Sequence, residues 1–194
     1  MPELEKVSES WRRSIGARMS AVNGMLDAAI RELTLEQVNH RERAGVLSIA
    51  FSLIHVVGGQ DRTVAKFLDQ GPTLWESGDF AVRVGYQGEL PARGTPMSVA
   101  EAVQFKDLAA WRAYQSAVFA RTGSAIANTP LARFDEIVIS DRPASSAGSF
   151  LFALVPSGPI RLAELCEAYV FQHASRHLGE IEHARALVGL GGVS

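Results

Sequence analysis

From about Glu3 to Glu32, apolar residues recur at three- and four-residue steps: Trp11, Ile15, Met19, Val22, Leu26 and Ala29, with Leu33 continuing the series. Arg12, Arg13, Arg18 and Asp27 fall elsewhere on the wheel, so the pattern predicts one long amphipathic helix. A second segment, residues 41–68, is free of proline and apolar nearly all round in its middle, as expected of a helix with several packing neighbours. Repeated Gly and Pro then make residues 69–96 loop-rich. Ser98 with Glu101 three residues later reads as a capping box. It opens a third helix through Phe105, Leu108, Trp111, Gln115 and Val118 to about Arg121.

Residues 123–159 change character. EIVIS (136–140) and SFLFALV (149–155) are short β-like runs on either side of DRPASSAG, which predicts a small hairpin. Pro159 suits a first helical position, and residues 160–188 carry a helical period without proline. The tail, GLGGVS, is expected to fray. Four long helices with two long connections predict an all-α fold, a four-helix bundle with a small β-hairpin between helices three and four. No internal repeat interrupts it, so the expectation is one domain over residues 1–194 with a loop or hairpin insertion at 123–159.

Composition narrows the function classes. The 194 residues are 47% hydrophobic and 21% charged, which is ordinary globular composition with enough chain to bury a core. Nineteen basic and 21 acidic residues give a net charge of −2 with no basic stripe, which argues against a nucleic-acid partner. The single cysteine, Cys166, excludes an internal disulfide and any CxxC metal or redox pair, and reads as a small buried apolar residue. The charge-free run Ala44–Gln60 spans 17 residues with two serines, a histidine and a Gly pair, so a buried helix explains it better than a membrane span. The N-terminal MPELEKVSESWRR has no apolar signal stretch. A soluble, cytoplasmic protein without a membrane partner is the expectation.

Candidate chemistry concentrates on the last helix, in YVFQHASRHLGE. His173 and His177 lie about 40° apart, one turn along one face, which lets two imidazoles grip one metal ion. The same pair also fits two core histidines satisfied by backbone carbonyls. It is not a zinc-protease motif, because Ala174 occupies the glutamate position of HExxH. On helix two, Ser48, Ser52, His55, Gly59, Arg62 and Lys66 form a polar stripe across an apolar helix. Periodicity alone favours a solvent-facing stripe. The alternative is a polar cavity inside the bundle, with His55 as the leading third ligand.

Three stretches resemble the DinB/YfiT-like superfamily of bacterial metal-binding four-helix bundles. They are SIAFSLIHVVGGQDR, GPTLWESGDFAVRVG and LAELCEAYVFQHASRHLGEIEHARALVG, in the family's order. The resemblance implies one divalent metal held by His55, His173 and His177. Two departures are visible: Arg176 and Glu180 stand where many relatives carry His and Gln. Relatives include thiol-dependent transferases and isomerases, with hydrolases also represented. The implied activity is therefore metal-dependent activation of a small thiol or water against a small-molecule substrate. The alternative is a non-catalytic bundle that binds a metal or small ligand in a stress response.

Three imidazoles leave coordination positions open; zinc is the default, with nickel or iron also accepting this donor set. Glu180, on the histidine face, could orient a ligand or handle a proton, or be a surface carboxylate. Tyr169, one turn before His173, could hydrogen-bond into the site or pack in the core. Arg62 could attract an anionic substrate, although a solvated helix end is the simpler reading. His40 and His183 read as surface residues, and Trp75 as packing or the cover of a pocket mouth. Val118 and Phe119 as outer apolar positions make a homodimer reasonable.

Overall fold

The computed structural model describes residues 2–142 and 148–193. Helix α1 (Pro2–Arg31) buries Ile15, Met19, Val22, Leu26 and Ala29, the predicted stripe. A short α2 (Leu35–Asn39) follows, opened by a Thr34–Gln37 capping box. Helix α3 (Ile49–Thr63) starts later than the sequence pattern suggests. Gly45 turns the chain at φ +80°, and the Ser48 side chain caps the helix by accepting from the amide of Phe51. Beyond Thr63 the backbone relaxes into a π-helix, Val64–Leu68.

The loop-rich stretch contains two further short helices, α4 (Leu74–Ser77) and α5 (Phe80–Val84). The third long helix does not start at Ser98. A five-residue α6 (Met97–Glu101) stands there without a side-chain cap, while Glu101 pairs with Arg41. The long helix is α7 (Leu108–Asn128), capped by Asp107 accepting from the amide of Ala110, and it runs past Arg121.

The expected hairpin forms with a different partner. Strand β1 (Ile137–Ile139) pairs antiparallel with β2 (Ile160–Arg161), in the register Ile137 opposite Arg161 and Ile139 opposite Ile160. The run SFLFALV instead makes α8 (Phe150–Leu154), because Ser149 caps it by accepting from the amide of Phe152. Residues 143–147, within the expected DRPASSAG turn, lie outside the described residues. Pro159 precedes a strand, so the last helical rod begins at α9 (Leu162–Leu165). It continues as a π-helix, Cys166–Gln172, and returns to α-helix in α10 (His173–Leu187).

The four long elements α1, α3, α7 and α9–α10 pack as a bundle, with α10 on α3 and α1, and α7 on α1 and α3. The fold is all-α with a small two-stranded sheet, as the pattern predicts. One apolar cluster joins α1, α3, α7 and α10; a second joins α1 to the π end of α3, α8, β2 and α9. Val118 is fully buried in the first cluster and so is not an outer position, while Phe119 is half-buried and packs against that cluster. The tail does not fray within the described residues. Arg185 donates from Nε to the Gly191 carbonyl at 3.0 Å and from Nη1 to the Ala29 carbonyl, folding Leu190 and Val193 onto the core. No described helix is long and apolar enough to cross a membrane.

Candidate metal centre

The polar stripe of α3 turns inward rather than toward bulk solvent. Ser48 and Ser52 are buried, and His55, Gly59, Arg62 and Lys66 line one cleft of about 580 Å³. The opposite wall comes from the last rod, through Tyr169, His173, Arg176 and His177. Periodicity favours the solvent reading because it treats each helix in isolation. Here α10 packs on α3 and brings a second polar face against the first.

The three histidines meet at their Nε2 atoms. His173 Nε2 lies 3.2 Å from His55 Nε2 and 3.0 Å from His177 Nε2. One nitrogen from each ring lies within 4.8 Å of the other two. His173 and His177 are only 9% and 8% exposed. Burial holds the His55 imidazolium down to about 4 and the His173 imidazolium to about 3, with the neighbouring imidazoles adding to the effect. Both rings are therefore neutral near pH 7, the form that ligates a metal.

The tautomers follow from the outer partners. His55 Nδ1 is 3.3 Å from the Pro91 carbonyl, which only accepts, so that nitrogen carries the hydrogen. His177 Nδ1 is 2.6 Å from Glu180 Oε2, and this hydrogen bond holds the Glu180 carboxyl below its usual range, so the carboxylate accepts. Two Nε2 lone pairs then converge on His173. A hydrogen on His173 Nε2 could satisfy only one of them, and His173 Nδ1 is buried with no described protein partner. A cation at the meeting point satisfies all three nitrogens. The two separations from His173 also approach the edge of about 3.3 Å that zinc–nitrogen bonds of about 2.0–2.1 Å imply for a tetrahedron. The residues fit a metal.

A sequence model of the DinB superfamily matches residues 18–181. The chain belongs to the DinB superfamily. A crystal structure of a conserved protein from Enterococcus faecalis superposes with a TM-score of 0.73 at 14% identity, covering 92% of this chain and 97% of that one. At that identity the likeness concerns the fold. No curated protein matches the chain.

In this DinB-superfamily chain the other expected site residues fall at graded distances from the histidine cluster. Glu180 touches it directly, although its side chain is 47% exposed and also pairs with Arg176 at 3.6 Å. Tyr169 stands edge-on to the His173 ring, centroids 6.1 Å apart, and lines the cleft. Arg62 is not a solvated helix end. Its Nη1 and Nη2 donate to the carbonyls of Leu90 and Pro91, each at 2.8 Å. The Pro91 carbonyl thus receives both Arg62 and His55. Sequence inspection misses this acceptor, since a main-chain carbonyl in GELPARG carries no side-chain signal. Cys166 is fully buried, and burial pushes its thiol up to about 12. His40 and His183 are exposed, and Trp75 is buried against Tyr114.

Both site helices depart into π-helix next to the cleft, at Val64–Leu68 and Cys166–Gln172. Such turns recur near functional sites because they shift a helix's phase without ending it. The shift rotates His173 and His177 relative to Leu162 and Cys166. A constant 100° per residue therefore misassigns the face that these residues share.

Proposed function

We propose that this protein is a metal-dependent enzyme in which His55, His173 and His177 hold one divalent ion, with zinc, nickel or iron as the candidates. The reaction is transfer or hydrolysis by an activated small thiol or water. The observation that carries the reading is the convergence of three Nε2 atoms on an open cleft while two of the Nδ1 atoms are committed to acceptors outside it. When bound, the ion would supply Lewis acidity, bringing the pKa of a coordinated water or thiol toward neutrality.

The protein's own groups do the rest. Glu180 fixes the ring of His177 and, being partly exposed beside the cleft, can take up a proton. Arg62 is a positioning residue: it clamps the Pro91 carbonyl that sets the tautomer of His55. Tyr169 packs on His173 and shapes the cleft wall.

Elemental analysis of untagged protein, beside His55→Ala and His177→Ala, tests the centre. About one equivalent of metal, lost in both variants with helicity intact, is the expected result. Metal absent after reconstitution, or unaffected by either substitution, would overturn it. Loaded protein should then turn over in a screen of small thiols and electrophiles. Stoichiometric metal without turnover across that screen would leave a binding bundle instead of an enzyme.

A further inference from the structure

The cleft that opens onto the histidines has an unusual charge for a chain whose formal net charge is −2. Arg62, Lys66, Arg93 and Arg176 all line it, and no carboxylate is among its lining residues. Among the described residues, neither Arg62 nor Lys66 takes part in an ion pair, and the Arg62 guanidinium donates to two neutral carbonyls. A half-buried guanidinium in a low-dielectric wall, satisfied only by neutral acceptors, keeps its charge poorly screened. Arg176 pairs with Glu180 at 3.6 Å, but the other oxygen of that carboxylate is engaged by His177 at 2.6 Å. That shared carboxylate leaves Arg62 and Lys66 without an ion-pair partner among the described residues.

The remaining lining is aromatic as much as polar. Phe67, Phe150 and Tyr169 face the same space, and a volume of about 580 Å³ suits a small molecule. We propose that this cleft binds a small organic anion, an acidic head group joined to an apolar body, with Lys66 and Arg176 as its anion-selecting residues. Naming that anion as the substrate class rests on the enzyme reading above; the binding itself does not.

The test compares a carboxylate with its neutral amide, 4-phenylbutanoate against 4-phenylbutanamide, by calorimetric titration and amide NMR shifts. Wild type, Lys66→Glu and Arg176→Gln are each titrated metal-free and zinc-loaded. The expected result is a carboxylate preference of roughly ten-fold or more in wild type, present without metal and weakening with salt. Each substitution should reduce carboxylate affinity by about three- to ten-fold and leave the amide unchanged. Equal binding of the pair, no carboxylate binding, or a preference that survives both substitutions would overturn the proposal. So would a preference seen only with zinc, since the anion would then be ligating the metal. The metal-free arm keeps this result separate from any failure of the metal centre.

Discussion

Helix α3 carries two buried polar clusters six residues apart, one around His55 and one around Asp61, and they are finished to different degrees. Asp61 is 0% exposed and fully served. The amides of Leu74 and Trp75 each donate to it at 3.0 Å, as does the Tyr114 hydroxyl, and Arg121 Nη1 donates at 3.1 Å. That carboxylate pins the start of α4 and ties α3 to α7. The histidine cluster is shallower, with His55 half-buried, and is left incomplete: two lone pairs converge, and His173 Nδ1 has no partner among the described residues. A buried polar group with all its partners stabilises a structure; one aimed at a cleft without them is a site for something else.

Breaking the finished cluster should have the largest effect on stability. Asp61→Ala strands the buried Tyr114 hydroxyl and the amides of Leu74 and Trp75, while Arg121 keeps Asp69 and the Pro72 carbonyl, so a loss of about 2–4 kcal/mol is expected in chemical denaturation. Asp61→Asn, which keeps an acceptor, should lose less. A loss below about 1 kcal/mol for Asp61→Ala would mean that the cluster does not hold the fold.

The unfinished cluster should show itself next, in acid. In metal-free protein His55 and His173 titrate at about 4 and about 3, against 6.5 for the unfolded residues. Between those limits the unfolded chain binds more protons, so stability is full above pH 6.5 and falls as pH drops below it. Near pH 5 unfolding should draw nearly two protons from solvent onto this pair. A pH-independent denaturation midpoint from pH 7 to 5 would contradict the buried neutral imidazoles.

Smaller effects should come from the groups around the ligands. Glu180→Gln and Arg62→Met leave the three histidines in place but loosen their outer partners. Each should weaken metal affinity by roughly 10–100-fold with little change in the stability of the metal-free fold. Competition with a chelator of known affinity measures this. If Arg62→Met changes stability and leaves the metal untouched, the Arg62–Pro91–His55 relay has no positioning role.

What was legible in the sequence followed from local rules. The apolar stripe of α1 and the His173–His177 turn depend on periodicity within one helix, and both appear as read. The errors have equally physical causes. Ser149 caps a helix where the β-like run predicts a strand, and Asp107 caps the helix that the Ser98–Glu101 box had started earlier; a cap is one hydrogen bond, and short segments offer several rival ones. Ile160–Arg161 became a strand because β1 needed a partner, which the helical period of its own segment could not reveal.

The sequence by itself determined the bundle's helical segments, the family resemblance and which imidazoles were available. Only the tertiary structure decided that the α3 stripe faces a cleft, that Pro91 and Glu180 set two tautomers, and that α10 brings its histidines against His55. The reason is that period and composition act over one turn of one helix. The direction of a lone pair, and the dielectric around it, depend on what another helix brings against it.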